Sequence, residues 1–536
     1  MKRDTRELAA SLAMVFAVKL TVLLQLGDHP LLQPTAAGGL DSQYYLQLAQ
    51  RVAGGDLLLA PGLYFVSPLY IYFLATLLKI GGGSLFFVKL VQMALGAVAC
   101  ALVWLTAREW FSERAAWVAM VFTALTGVFT FYEVVILQAA LDPFLSALDA
   151  WVLTLALRRH GWRWPVLAGA VFGIHALNRP NMLLVAGGLA CAMLLYRRAR
   201  PLSVFFVAGI VLALLPLSVR NVVAAGTLSP TPSHGGLNLY IGNNPHADGT
   251  YHSVEGITPN IAGQAEDARR VAEQAEGGPL SDSQVSAYFT SRALAWWRAQ
   301  PGAALGLFVR KVAYTLNDAW LTLNYSYPFY RAESAALRWL FVGPLLLVPL
   351  GIAGLFSHSV AGTRAPHAYV AWAALVPLVV VSIAVFFVAS RYRVPLLMLL
   401  CVTSGGLLDA VWTAVGSRRA TAIMLLAAAL VALTLVASAD YGLDDGSGEE
   451  ETQMALSLIE AGEVTRAATY IARAQVDHPD PGRVHLRLGE AFVRAKRPAD
   501  VITHLEAAHR FGRQDPQSTY DLAVAYGQEG RTEDAS

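Results

Sequence analysis

Two aspartates and three arginines are the side chains in this sequence best placed to do chemistry. Asp41 follows Gly38-Gly39-Leu40 and opens the amphipathic stretch Asp41-Ser42-Gln43-Tyr44-Tyr45-Leu46-Gln47-Leu48-Ala49, while Asp142 stands directly before Pro143 at the end of EVVILQAALDP, which begins at Glu133. Arg179 lies in Asn178-Arg179-Pro180-Asn181, and Arg391-Tyr392-Arg393 precedes Val394-Pro395. Aspartate is a general base when a hydroxyl proton comes within hydrogen-bond reach, and arginine is suited to gripping a phosphate. Together these types fit a lipid-phosphate donor held by arginine and a hydroxyl nucleophile activated by aspartate, the departing charge being stabilised by the guanidinium groups. Each residue also has an ordinary role open to it: the aspartates can cap helices, and the arginines can snorkel at a membrane surface.

Other polar stretches carry less information. Ser233 to Pro245 (SHGGLNLYIGNNP) is rich in turn formers and amides, so Asn238, Tyr240 and Asn243 suit a polar sugar pocket or simply a folded loop. Glu133, Tyr44, Tyr45 and Tyr392 are further candidates for substrate contact, and Tyr64 and Tyr325 suit sugar stacking or a membrane-interface belt. His234 and His246 lack ligand spacing with acidic partners, and Gly235-Gly236 has neither a preceding strand nor a following GK[ST] to make a phosphate loop. Cys100, Cys191 and Cys401 lie far apart inside apolar runs and read as packing residues.

What positions these residues is a membrane bundle. Of 536 residues 55% are apolar and only 15% charged, with mean hydropathy +0.47, a composition that soluble domains do not have. The 40 Lys+Arg nearly cancel the 38 Asp+Glu, leaving +2 and no nucleic-acid footprint. A crossing needs roughly 20 apolar residues, and about eleven candidate spans follow, near 8–26, 85–107, 115–131, 142–157, 164–178, 181–196, 203–219, 338–357, 367–388, 394–411 and 420–438. The basic start MKRDTRE with its long apolar run reads as an uncleaved first span.

With a cytoplasmic N-terminus, the short loops holding Arg108 and Arg114, Arg158, Arg159 and Arg163, Arg197, Arg198 and Arg200, Arg364, and Arg418 and Arg419 all fall inside. The opposite face then carries the first loop 27–84, the long loop 220–337, every candidate residue above, and the tail after the odd number of spans. Ser67 to Ile80 is apolar but too short to cross and reads as an interfacial helix, as does Ala304 to Trp320 with Arg310 and Lys311 inside it.

Residues 440–451 (DYGLDDGSGEEE) form an acidic linker to a soluble tail, 452–536, with a 34-residue period. Ala461-Gly462 aligns with Ala495-Lys496 and Glu529-Gly530, Leu488 to Phe492 aligns with Leu522 to Tyr526, and Ala474 falls on Ala508. That period is the one of tetratricopeptide repeats, paired helices that dock protein partners.

In the order DSQYYLQLA, SPLYIYFLATLL, LDPF, ALNRPNMLL, PLSVRN, GGLNLYIGNNPHADGTY and SRYRVPLL, residues 8–440 resemble the GT-C membrane glycosyltransferases, specifically bacterial relatives of protein O-mannosyltransferases and aminoarabinose transferases that use polyprenyl-phosphate sugars. The resemblance implies an all-α polytopic fold, a GT-C-like domain over 1–439, Asp41 as catalytic base, and Asp142 as a second acidic site toward acceptor, metal or reacting centre. It also implies Arg391 and Arg393 as donor-phosphate contacts, with Arg179 an addition. Ser42 stands where many mannosyltransferases carry a second acid, which leaves acceptor and donor identity open. Oligosaccharyltransferases require a divalent ion and O-mannosyltransferase-like members need not, so a metal at Asp41 and Asp142 stays an open alternative and no other cofactor is implied.

The expected activity is inverting transfer of a sugar from a polyprenyl-phosphate carrier to an extracytoplasmic acceptor (protein, lipid or glycan) at a bacterial cytoplasmic membrane, with a protein partner on the repeat tail. A lipid-phosphate or solute transporter, or a scaffold working through its tail, is the alternative; transporters more often carry mid-span charge and internal repeats.

Overall fold

The computed structural model describes residues 2–34, 41–195, 200–356, 366–416 and 420–531. Gly38 to Leu40 and the loop arginines Arg197, Arg198, Arg364, Arg418 and Arg419 lie outside them. Among the described residues the chain is helical, with only isolated β-bridges. Backbone groups in lipid must be satisfied within their own segment, which leaves helices as the building element for such apolar runs.

Each of the eleven apolar stretches forms helix, and the protein is a multi-pass membrane protein. Among the described residues, six helical segments are long and apolar enough to cross: Arg6–Leu26, Leu85–Trp110, Gln138–Arg158, Arg200–Ala225, His367–Ala384 and Ser390–Val415. The others are short or interrupted. The stretch expected over 115–131 breaks at Thr126 into Glu113–Leu125 and Gly127–Val134, where the Leu125 carbonyl accepts from the Val342 amide (3.0 Å) of another segment. The one over 338–357 splits into Ala335–Trp339 and Pro344–Gly354, since proline after Gly343 can only start a helix. Pro68–Ile80, capped at Ser67, has 13 residues and therefore spans about 20 Å, too little for a crossing.

The chain divides into two compact units, the first built from Met1–Gly27, Ala37–Ala319 and Ser334–Tyr441. Inside it, helices Arg163–Asn178 and Arg200–Ala225 come into backbone contact through a pair of glycines. A Cβ on Gly169 would lie 1.8 Å from the Phe206 carbonyl oxygen, and one on Gly209 would lie 2.1 Å from that of Val166. Small residues of this kind let membrane helices approach closely where lipid gives no hydrophobic drive to pack. The contact fixes the direction in which Arg163–Asn178 delivers its C-terminal residue, Arg179. Trp110 and Trp372 anchor the next layer by donating to Thr154 Oγ1 (2.9 Å) and the Ala150 carbonyl (3.0 Å), so neither indole N–H is left unsatisfied in lipid.

The second unit combines Asp28–Ala36, Trp320–Glu333 and Gly442–Ser536. Its core is a series of helical hairpins: Ser447–Glu460 with Val464–Asp477, Pro481–Arg494 with Pro498–Arg510, then Pro516–Gln528. The first of these helices starts within the expected linker, so 447–451 are helical. The 34-residue period is visible in the backbone, because Gly462, Lys496 and Gly530 all adopt positive φ (78°, 56° and 75°). The small aligned residues Ala474 and Ala508 are fully buried. Two segments that the sequence alone assigns to the first and long loops also belong here. His29 packs edge-on against Phe329 and Tyr330, and Glu450 accepts from the Ser326 amide (3.0 Å) and the Tyr330 hydroxyl (3.1 Å).

Candidate active site

Proline sets the first arginine. Arg179 precedes Pro180, which disfavours helical geometry in the residue before it, and Arg179 is accordingly extended (φ −144°, ψ 96°) as the C-cap of Arg163–Asn178. Its guanidinium leaves the helix axis and donates to Asp142 and to the Arg391 carbonyl (3.3 Å). Asp142 is the first residue of Asp142–Arg158, whose N-cap, Leu141, offers no side-chain cap. The aspartate is not spent on the helix end: besides Arg179 it accepts from Asn178 Nδ2 (2.9 Å), and His175 Nε2 lies 3.7 Å away. Asp142 is fully buried and stands behind Arg179 without lining the cleft that Arg179 faces.

The second arginine comes from the 3₁₀ turn Ser390–Arg393 that leads into Val394–Gly416. With about three residues per turn, side chains two apart point in different directions. Arg391 enters the cleft, where its Nη1 donates to Asp41 Oδ2 (3.1 Å). Arg393 points away and donates to the Asn317 and Ala319 carbonyls and to Ser390 Oγ (3.0 Å). The Tyr392 ring between them underlies both guanidiniums of the cleft, 4.9 Å from Arg179 and 5.4 Å from Arg391, and orients them by cation–π attraction.

Asp41 opens Asp41–Ala53, so Tyr45, one turn on, faces the same cleft. The cleft, about 120 Å³, is closed by Phe65, His234, Asn238 and Phe387. His234 stacks on Phe65 (4.4 Å between centroids) and receives the Asn238 side-chain amide at Nδ1 (3.3 Å). Burial away from water pushes this imidazole down to about 4, so it is neutral at physiological pH. Two arginines and one aspartate line the cleft, and the Nε atoms of Arg179 and Arg391 are buried without a hydrogen-bond partner. That arrangement has a net positive charge, which suits an anion.

The structure thus brings Asp41, Tyr45, Arg179, Asn238, Arg391 and Tyr392 together, with Asp142 directly behind. Other candidates fall elsewhere. Glu133 is paired with Lys19 (2.7 Å), buried on both sides, and Gln92 donates to the Glu133 carbonyl (2.7 Å). Tyr44 faces a different cavity, and Tyr240 packs on Phe289 beneath Arg292. Asn243 uses its whole amide in structure, donating to the Leu239 and Val385 carbonyls (2.7 and 2.8 Å) and accepting from Lys311 (2.9 Å) and Trp297 (3.2 Å). His234 lies in the polar stretch 233–245 that the sequence offers as a sugar pocket, and it does close the cleft, while His175 and Asp149, bonded at 2.6 Å behind Asp142, have no place in the sequence analysis. Ionisable residues inside an apolar span are themselves a signal, and it applied to both of these.

Asp41 and Asp142 are each engaged with a guanidinium, and among the described residues no three His, Cys, Asp or Glu side chains gather as a donor set.

Residues 66–221 match the family model of dolichyl-phosphate-mannose-protein mannosyltransferases, a segment that holds Asp142 and Arg179 and excludes Asp41 and Arg391. That match supports a membrane glycosyltransferase of the GT-C type. Two solved structures align with the chain. The archaeal oligosaccharyltransferase AglB from Archaeoglobus fulgidus, in complex with an inhibitory peptide and a dolichol-phosphate, aligns over 93% of this chain and 59% of its own at 15% identity and a TM-score of 0.46. The apo form of the oligosaccharyltransferase from the same organism aligns over 89% and 59% at 15% identity and a TM-score of 0.47. The chain therefore spans about 59% of the length of these structures. No curated protein matches the chain.

Proposed function

We propose that the protein transfers a sugar from a polyprenyl-phosphate donor to a hydroxyl-bearing acceptor on the extracytoplasmic side of a bacterial cytoplasmic membrane. The observation that carries this reading is the convergence of Arg391, Arg179 and Asp41 on one cleft, with the two guanidiniums set over Tyr392. Arg179 and Arg391 hold the donor phosphate through their guanidinium groups. Asp41 takes the acceptor hydroxyl proton as its oxygen bonds to the anomeric carbon, and the bond from that carbon to the phosphate oxygen breaks. The electron pair leaves with the phosphate, whose added charge the two arginines stabilise. A single displacement of this kind inverts the anomeric centre. Asp142, out of reach of the cleft, shares Arg179 with the phosphate, and Arg393 holds the turn that delivers Arg391. The hairpin tail serves as a docking platform for a protein partner, as tetratricopeptide repeats do.

The transporter alternative draws on the ion pairs inside the helices, Lys19 with Glu133 and Asp149 with His175. Both pairs are buried and closed on themselves, and neither lines the cleft. The test is transfer of labelled sugar from a panel of polyprenyl-phosphate donors by the purified chain in lipid, beside Asp41→Asn and Arg391→Ala of verified insertion. Turnover that falls by about 10²–10⁴ in Asp41→Asn is expected for loss of a general base. Silence of the wild type with every donor, together with movement of the lipid across the bilayer, would replace the transferase by the transporter.

A further inference from the structure

The helix that carries Asp41 lines two cavities with two different stripes. Asp41 and Tyr45 face the anion-binding cleft, while Tyr44, Leu48 and Arg51, spaced four and three residues apart, face a second cavity of about 560 Å³. Phe65 and Val66 form the wall the two share. Small-molecule sites occupy about 300–1,000 Å³; the second cavity lies within that range, and the cleft, at about 120 Å³, lies below it. A transfer reaction brings two partners together, and the cleft by itself has room for a charged group and little more.

The two cavities differ in charge. Arg51 and Arg269 balance Glu266 and Asp282 around the second one, and Arg269 is itself bonded to Asp282. An electroneutral lining gives no preference for an anion, unlike the cleft. Part of the backbone along the cavity is already engaged. The amides of Gly62, Leu63 and Ser233 are already bonded to the Ala224 carbonyl (3.0 Å), Asp282 Oδ2 (2.7 Å) and the Tyr64 carbonyl (2.8 Å). The lining is side-chain chemistry: the Glu266 carboxylate, the Arg51 and Arg269 guanidiniums, the Ser233 and Ser286 hydroxyls, of which Ser286 already accepts from the Gly236 amide (3.1 Å), and the Tyr44 ring, while the Tyr64 ring carries the Arg220 guanidinium at 3.9 Å. Hydroxyl groups that both give and accept hydrogen bonds, carried on a ring with an apolar face, match that set.

We infer that this second cavity binds a neutral carbohydrate, and that the acceptor of the transfer reaction is a glycan seated there with its terminal hydroxyl directed past Phe65 and Val66 toward Asp41. The assignment of the glycan as acceptor rests on the reading under Proposed function; the binding of neutral sugar does not.

The experiment is therefore a binding measurement made without donor. The full chain in lipid nanodiscs is titrated, by saturation-transfer NMR, with neutral gluco- and mannodisaccharides, with a uronic-acid disaccharide and with short serine- and threonine-containing peptides. Ala265→Trp fills the cavity from its solvent-side helix, and Tyr44→Ala removes one ring while leaving the fold's core untouched. Expected are binding of a neutral disaccharide, its loss in Ala265→Trp, a weakening of about tenfold in Tyr44→Ala, and no change in Arg391→Ala. Failure of every neutral sugar to bind the folded wild type overturns the inference, as does binding that ignores both cavity variants. Peptide binding abolished by Ala265→Trp makes the cavity a polypeptide site and also overturns it. Sugar binding that survives while no polyprenyl-phosphate donor is used would refute the transferase reading alone.

Discussion

Arg179 and Asp142 make opposite predictions for two measurements, which lets the pair's role be separated from its contribution to the fold. Both side chains are buried, and breaking such a pair from either side leaves an uncompensated charge costing about 3–5 kcal/mol. Arg179→Met and Asp142→Asn should therefore both lower the unfolding temperature, the second less, because its amide still accepts from Asn178. Donor binding should split them. Arg179→Met removes a charge-assisted bond to phosphate worth about 1.5–3 kcal/mol, or roughly ten- to a hundredfold in affinity at 1.4 kcal/mol per decade. Asp142→Asn removes the carboxylate that competes with the phosphate for Arg179, so donor should bind more tightly. The assay is equilibrium binding of a short-chain polyprenyl phosphate to detergent-purified variants, beside thermal unfolding, with Arg179→Met/Asp142→Leu expected to regain most of the lost stability. Should Asp142→Asn weaken donor binding as Arg179→Met does, the carboxylate is not competing for that guanidinium and the reasoning fails.

Two titrations outside the membrane-spanning helices give further tests. Burial pushes the Lys311 amine down to about 7 from its ordinary 10.5, so the unfolded chain binds the proton more tightly and stability should rise as pH goes from 7 toward 10; Lys311→Met should flatten that rise in thermal unfolding scans. Burial lifts the Glu450 carboxyl from 4.5 to about 7, so its contribution is fully present below 4.5 and is lost as pH rises through 7. Glu450→Gln keeps an acceptor for Ser326 and Tyr330 and should stabilise the second unit at pH 8 while leaving it unchanged at pH 4, as read by hydrogen exchange of 447–460; a variant that is less stable at both pH values would show that the charge itself holds the contact.

Much of this arrangement was legible in the sequence, for identifiable reasons. Apolar runs report on helices, and Pro143, Pro180 and Pro395 mark where helices start or stop, so Asp142, Arg179 and Arg391 read correctly as helix-end residues. Turn geometry was not legible: Arg391 and Arg393 look equivalent in one dimension, and only the 3₁₀ turn sends them to opposite sides. Nor did the polar character of Tyr240 and Asn243 tell whether their partners would be ligand or protein, and both turned out to hold the long loop together. In the tail, the 34-residue spacing aligns small and aromatic positions that pack between helices, yet no local pattern links Ser326 to Glu450 across more than a hundred positions.

That long-range link has a consequence for how the chain is threaded. A folded unit held by contacts among 28–34, 320–333 and 442–531 cannot have a bilayer running through it, so the chain must cross an even number of times between 36 and 320, and again between 333 and 442. The uninterrupted spans alone put three crossings in the first interval, Leu85–Trp110, Gln138–Arg158 and Arg200–Ala225, and two in the second. Three is odd, so an odd number of the shorter helices between residues 36 and 320 must cross as well. Counting every apolar stretch gives six and four, and parity holds in both intervals. The tail thus acts as a check on insertion: a nascent chain that skipped one short helix would strand residues 320–333 across the bilayer from the helices they fold with.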